Sequence, residues 1–367
     1  MTSSHSEGTD SKNVLRSPVD LWATDAPAYT QNGTANGTAM EEYEEWKFGQ
    51  RAVSIINAHP LNTPLFLNYD FHVAHETLEV PDVYYDRLSF MENDLPYHKS
   101  PKQGRRTRQL LSAMVAFADD VMANITTALK QRGMWSNTLI ALQSDNGGLA
   151  FTGSNHVGSN YPLRGSKMHN FEGGIRVNSF VSGGFIQSKA PRMVGATLNG
   201  LVATADFYAT FCALAGQHTF DAQAYALGLP LVDGINQWQY WSGANSSAAR
   251  TQLFGSIDMV IDGEWKYIAK ATENGCWGGP VYPNASTTTP PCNTTDCGEE
   301  GGCLFQIFED PTEHVNLAQQ LPQKVAEMAA LLVELNKGYF NPVRGQPDVR
   351  GCDQSVFNGN YWGPFLP

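Results

Sequence analysis

An apolar run, TLIALQS, leads directly into Asp145-Asn146-Gly147-Gly148. A carboxylate beside an amide carbonyl offers two hard oxygens, which suit Ca²⁺ or Mg²⁺ and not soft metals. Two glycines behind them let backbone or ligand approach closely. Asn-Gly is equally a strong hairpin signal, so a plain turn is the competing reading. Further on, Arg164 and Lys167 lie in YPLRGSKMHNFEGGIRV, a glycine-punctuated loop whose two cations can hold an anion or simply be solvated. His75 follows a second apolar run, PLFLNYDF, and can donate a proton or face an oxyanion. His72 is its rival, and a purely structural histidine is the alternative to both. Ligands of open α/β sheets bind beyond the carboxyl ends of strands. Asp145, Asn146, Lys167 and His75 are therefore expected to meet in one cleft.

Other chemistries are excluded or set aside. Asp119-Asp120 falls inside a predicted helix and reads as helix surface, not as a metal pair. No G-x-S-x-G, P-loop or dinucleotide fingerprint occurs. Lys and Arg number 24 against 36 Asp and Glu, a net charge of −12, which argues against a nucleic-acid partner or an electrostatic grip on anionic lipid. An anionic substrate must then be held by a few placed cations or a metal. No uninterrupted apolar run reaches the roughly 18 residues that span a bilayer.

These residues need a scaffold, and 367 residues are enough for about two domains. The first forty residues are rich in Gly, Thr, Ser and Asn and read as irregular. A helix is predicted over 41–59, a buried strand over 64–71, an amphipathic helix over 108–132 stopped by Gly133, and a second buried strand over 138–144. The strand–helix–strand order predicts an α/β fold with a mostly parallel sheet. A further strand is marked by Ile175, Val177 and Val181, and a helix over 202–215 ends at Gly216. Beyond Gly234 the character changes. EWKYIAK and CLFQIFE read as antiparallel strands around a Cys-rich insertion, and 322–337 as the helix packed on them. The division is thus 1–40 irregular, 41–234 the α/β part, and 235–367 a small α+β domain.

All six cysteines lie in the second half: Cys212, Cys276, Cys292, Cys297, Cys303 and Cys352. Four crowd between 276 and 303. Without paired C-x-x-C motifs or a nearby His, disulfides are preferred over zinc. Cys212 is expected to remain a buried thiol. Six N-x-S/T sites begin at Asn32, Asn36, Asn124, Asn245, Asn284 and Asn293. Together they point to a secreted or lysosomal, lumenal protein, although no signal peptide is visible in the opening residues.

Three segments in order, LFLNYDFHVAHETLEVP, MVAFADDVMANITTALKQRGMWSNTLIALQSDNGG and YPLRGSKMHNFEGGIRV, resemble the sulfatases, and most of all the arylsulfatase B (N-acetylgalactosamine-4-sulfatase) type. VATADFYATFCALAG, GEWKYI, LFQIFEDPTEHVNLA and YWGPF continue the likeness to the C-terminus. The resemblance implies an alkaline-phosphatase-like α/β domain followed by a small antiparallel domain. It implies a formylglycine, made from Cys in C-x-P-x-R, whose hydrate attacks sulfur. It assigns Asp145 and Asn146 to one Ca²⁺, Lys167 to the sulfate, and His75 to the scissile oxygen. The loop between Asp145 and Lys167 is longer than the pattern, and its His156 joins Arg164 as an expected substrate contact.

One departure is decisive. No Cys precedes Cys212, so no C-x-P-x-R stands where the family has it. The opening strand with its Asp pair is also missing. The expectation is the C-terminal portion of a sulfuric ester hydrolase acting on carbohydrate or aryl sulfates, inactive alone, that needs a missing N-terminal segment or a second chain. The alternatives are a non-catalytic sulfatase-like protein that binds sulfated glycans, and a phosphoesterase of the same superfamily.

Overall fold

The chain divides into two units, Met1–Arg132 with Asn341–Pro367, and Gly133–Phe340. The computed structural model describes residues 43–93, 107–150, 158–270, 275–277, 297, 302–339 and 348–358, and the backbone of four two-residue strands near the N-terminus. Those strands pair antiparallel, β1 (Gly8–Thr9) with β2 (Leu15–Arg16) and β3 (Trp22–Ala23) with β4 (Ala26–Pro27).

The first unit is built on α1 (Glu44–Ala58), α2 (Asp82–Arg87) and α3 (Thr107–Gln131). Glu44 and Glu45 in the first turn of α1 suit the positive end of its dipole. The helical spacing in α3 buries Leu110, Ala113, Met114, Phe117, Val121, Ile125 and Leu129 on one stripe. Gly49 of α1 faces Val121, and an added Cβ would stand 3.2 Å from a Val121 methyl. Phe117 receives the rings of Tyr43 and Tyr84 edge-on. Asp120 accepts hydrogen bonds from the Tyr84 hydroxyl at 2.8 Å and from Arg87 at 2.7 Å. By length and composition alone α3 could cross a membrane; here its apolar stripe is the core of the unit. Gly133, at φ 70°, follows the helix end as the sequence predicts. The unit also holds α10 (Val349–Phe357).

The run 64–71 departs from expectation. Its residues alternate between exposed and half-buried, as in a strand, but no ladder partner exists among the described residues. Phe66 is left 77% exposed. The segment is fastened at its end by the buried carboxylate of Glu45, which accepts the His72 N–H at 2.5 Å and the Tyr69 hydroxyl at 3.3 Å.

The second unit begins with β5 (Ile140–Gln143), which pairs antiparallel with β6 (Ser179–Ser182). Between them the only helix among the described residues is the single turn α4 (Glu172–Ile175). Without a crossover helix the chain returns antiparallel. This corrects the expected mostly parallel arrangement: every described strand pair is antiparallel. Then come α5 (Gly184–Lys189), α6 (Thr204–Leu214), α7 (Ala222–Ala226) and α8 (Trp238–Trp241). The strands β7 (Gln252–Ser256), β8 (Met259–Asp262), β9 (Trp265–Ile268) and β10 (Cys303–Gln306) form one sheet in the order β10-β9-β8-β7. Both strands expected around the Cys-rich insertion are neighbours in it. The helix α9 (Pro322–Asn336), with Pro at its first position, lays Met328 and Leu332 on Val260, Tyr267 and Leu304. The opposite sheet face packs Met259, Ile261, Ile268, Cys303 and Phe305 against Phe171.

Cys297 and Cys303 form a disulfide, and Cys276 is disulfide-bonded as well. Cys292 lies outside the described residues. Cys212 is a thiol, but half-buried on α6 and not fully buried as expected.

One residue of the sheet breaks its apolar pattern. Side chains two apart share a strand face, so Lys266 shares that of Ile268. Its register partners are Ile261 and Phe305. Lys266 is 0% exposed. Removing an ammonium from water costs several kcal/mol unless it is paired. Two carboxylates supply this: Glu172 Oε1 and Glu313 Oε1 each lie 2.8 Å from Nζ. Glu313 Oε2 also accepts the backbone N–H of Glu172 at 2.7 Å. Burial works to lower the Lys266 pKa, but the two carboxylates outweigh it and hold it above its usual range. Burial drives the Glu313 carboxyl up to about 7, with Lys266 opposing and Glu172 reinforcing the shift.

A second buried charge organises α6. Asp206 accepts Arg250 in a fork at 2.6 and 2.9 Å, and also the N–H groups of Ala203 and Ile235. Burial alone would raise its pKa; Arg250 and these N–H groups outweigh burial and leave it lowered.

Two measurements check this account. Asp206→Ala, which strands the Arg250 guanidinium, should cost about 3–5 kcal/mol in urea denaturation, and Arg250→Lys should cost less. The second concerns pH. Glu313 holds its proton up to about 7 in the folded chain, against 4.5 for an unperturbed carboxyl. Its contribution to stability is therefore complete below pH 4.5 and is lost as pH rises toward 7, at about 1.4 kcal/mol per pKa unit. Thermal melts across this range should show a falling Tm whose slope flattens in Glu313→Gln. Identical slopes in the two proteins would contradict the assignment.

Candidate functional site

The site grows from the end of β5. Ser144 N–H donates to Asn178 O at 3.0 Å and prolongs the pairing by one residue. The chain then turns. Asp145 Oδ1 accepts the Asn146 N–H at 2.8 Å, the Ser144 hydroxyl donates to Asn146 O at 2.8 Å, and Asn146 Nδ2 donates to Gly147 O at 3.0 Å. This fixes the Asn146 amide by its nitrogen. Asp145 is exposed and Asn146 half-buried.

Next to this turn lies the loop that carries Lys167. Gly147 N–H donates to Gly174 O at 2.9 Å, and a Cβ on Gly147 would overlap Gly173 O. A Cβ on Gly173 would in turn stand 2.5 Å from Arg164 O. Backbone lies directly on backbone, which only glycine allows. Asn160 clamps the two loops: its Oδ1 accepts Gly148 N–H at 2.8 Å, and its Nδ2 donates to Gly148 O at 2.8 Å and Gly165 O at 3.1 Å. Lys167 N–H donates to Gly148 O at 3.2 Å. The loop of Asp145 and Asn146 and the loop of Lys167 are therefore hydrogen-bonded to one another, three of the four residues expected in one cleft lying on this loop pair.

Arg164 is placed differently. It is 2% exposed, with its guanidinium between the rings of Phe171 at 4.1 Å and Trp277 at 4.4 Å. Its Nε donates to Gly275 O at 2.7 Å. The expected substrate contact is a cation inside the protein, holding the Lys167 loop to residues 275–277 by cation–π contact and hydrogen bonding. Gly165 N–H adds a bond to Cys276 O at 2.7 Å.

His75 belongs to the other unit. It is exposed, and its Nδ1 lies 2.6 Å from Glu76 O. His156, Asn32, Asn36, Asn284 and Asn293 lie outside the described residues. Asn124 is exposed on α3, and Asn245 is exposed in the turn after α8.

Asp145 and Asn146 offer a hard cation oxygens of the right kind but few of them. Among the described residues no group of three or more His, Cys, Asp or Glu could hold a metal. Ca²⁺ takes 6–8 oxygens, so further donors must complete any such site.

Four residues that hold this site escaped the sequence reading: Asn160, Glu172, Lys266 and Glu313. A usable signal existed only for Lys266, a charge on an otherwise inward strand face. Asn160 looks like any loop asparagine, and the two glutamates lie 94 and 47 residues from their lysine.

The chain is 28% identical over 379 residues to Arylsulfatase J of Mus musculus, covering 94% of this chain and 56% of that protein. It is 22% identical over 347 residues to N-acetylgalactosamine-6-sulfatase of Mus musculus, covering 92% and 59%. The chain thus spans little more than half the length of these relatives. Among solved structures, the crystal structure of Ps i-CgsB in complex with k-i-k-neocarrahexaose matches 84% of this chain and 58% of that one, with a TM-score of 0.59 at 19% identity. That likeness bears on fold alone. The family and this neighbour imply an alkaline-phosphatase-like α/β fold. The Sulfatase family matches residues 11–217, more than half of the sequence, and the chain belongs to it.

Proposed function

We propose that this chain is the sulfate-handling part of a sulfuric ester hydrolase whose substrates are carbohydrate or aryl sulfates, with the arylsulfatase B type as the narrower assignment. The observation that carries the proposal is the clamp between the loops of Asn146 and Lys167. It joins the main chain of the loop that carries Asp145 and Asn146 to that of the Lys167 loop at a strand end. Asp145 and Asn146 would hold Ca²⁺ with donors from elsewhere; a bound Ca²⁺ supplies Lewis-acid polarisation of a sulfate oxygen. Lys167 would neutralise charge developing on the sulfate oxygens, because a preorganised cation is worth most where the charge appears. His75 is assigned the proton for the leaving oxygen. The division at about residues 40 and 234 belongs to this proposal, as does a secreted or lysosomal location with glycans on the six sequons.

The 367 residues contain no C-x-P-x-R. The proposal therefore draws the nucleophile from a segment or chain outside them. A serine or threonine hydroxyl lacks the hydrate's route of expelling sulfate by re-forming a carbonyl.

Residues 1–367 expressed alone should not turn over a chromogenic aryl sulfate with Ca²⁺ present. Supplying a matured segment with C-x-P-x-R should restore activity. In that complete form Lys167→Ala should lower kcat by about 10²–10³-fold while metal is retained, and Asp145→Ala should lose metal and turnover together. Activity that survives Lys167→Ala would sink the proposal. A preference for phosphate monoesters would point to a phosphoesterase.

A further inference from the structure

The Lys167 loop is held from beneath by charges that no catalytic role uses. Glu313 sits at φ 56°, in the left-handed region, and offers the loop both its main chain and its side chain. Its carboxylate accepts the N–H of Glu172 at 2.7 Å, and its carbonyl lies 3.5 Å from Arg164 Nη1. Glu172 starts α4, and the next two residues are Gly173, whose N–H donates to Arg164 O at 2.6 Å, and Gly174, whose carbonyl takes the Gly147 N–H. Lys266 holds both carboxylates from the sheet. Phe171 and Ile175 at the two ends of α4 also pack on this sheet face, whereas Gly173 and Gly174 have no side chains to pack, so the charge cluster bears directly on the turn between them.

We infer that the Glu172–Lys266–Glu313 cluster is the positioning element of the candidate site: it seats Gly173 and Gly174, and through them the loops of Asn146 and Lys167, so that a change in its charge loosens those loops before the rest of the unit. As a statement about sulfate chemistry this rests on the function proposed above; as a statement about loop order it stands alone, and the test addresses loop order.

The charges around the cluster fix the direction. Glu172 reaches it from α4, Glu313 from the loop after β10, and Lys266 from β9. Arg176 stands 3.8 Å from Glu172 at the half-exposed edge, and the Arg164 guanidinium faces the Glu313 carbonyl. Two carboxylates meet one fully buried ammonium. Glu313 Oε1 lies within ion-pair distance of Lys266 but lacks hydrogen-bond geometry. With Glu313 protonated the cluster is balanced. With it ionised, a buried excess negative charge adjoins the Glu172 backbone, consistent with the upward push of burial on this carboxyl.

The experiment is hydrogen–deuterium exchange on the full chain, with rates corrected for the intrinsic pH dependence. The peptides compared cover 145–148 and 164–174 on one side, and β7 to β9 with α9 on the other. In wild type, raising the pH from about 5.5 to about 7.5 should speed exchange in the loop peptides by on the order of tenfold, with little change in the sheet peptides. In Glu313→Gln the loop rates should lose this pH dependence. Lys266→Met, which leaves two carboxylates buried, should speed the loops at both pH values. Uniform acceleration of loops and sheet would overturn the inference, because the cluster would then be only core support. Loop rates that do not respond to pH in wild type would overturn it too. If either variant fails to fold, the wild-type pH comparison decides by itself. None of these readouts requires turnover, so an inactive chain does not affect the outcome.

Discussion

A buried ammonium has to be neutralised where it stands, and in the second unit this requirement governs the rest. Strand alternation turns Lys266 into an apolar layer, so its counter-charges must come to it. Glu172 arrives from the stretch between β5 and β6, and Glu313 from the loop after β10. The position of α4 thus depends on a charge in a different sheet as well as on the apolar packing of Phe171 and Ile175. The pair of glycines after Glu172 converts that position into the height at which the two loops meet. Breaking one partner of such a pair is expensive, whereas an apolar replacement of the whole cluster need not be.

Above this anchor the site is made almost entirely of main chain. Gly147, Gly165, Gly173 and Gly174 leave no room for side chains between the loops. Asn160 behaves there as an extra peptide group, giving one acceptor and two donor contacts to backbone. Arg164 fills the same supporting role from inside, between two aromatic rings. Such a platform fixes the main chain at Gly148 and Lys167 by direct hydrogen bonds. The first unit uses one carboxylate in a similar way: Glu45 fastens the segment that leads to His75 by way of Tyr69 and His72.

Much of this could be read from sequence. Helical spacing located α1, α3, α6 and α9 to within a few residues, and Gly133 and Gly216 marked stops at positive φ. The apolar runs at β5, β9 and β10 became strands, and the Asp145 and Lys167 loops came together. Strand direction was misjudged, because an apolar run carries no information about its partner. The run at 64–71 has the alternation of a strand without a ladder. Arg164 was misjudged because a sequence does not distinguish a cation that faces solvent from one between Phe171 and Trp277. Glu172, Lys266 and Glu313 were missed because the spacing between them follows no helical or strand period.

The long separations within the Lys167 loop's support have a consequence for synthesis. Arg164 bonds to a residue 111 positions later, and the Glu172 N–H to one 141 positions later. Closing loops of that length is slow and carries an entropic cost that local contacts do not offset. A chain emerging from the ribosome has Asn160 available to clamp Gly148 and Gly165 long before it has Glu313. The Asp145-Asn146 turn and the lysine loop can meet early, but the lysine loop cannot be locked to its final height until the strands β9 and β10 and the residues just beyond them have been made. The last part of the platform to be translated is therefore the part that fixes it.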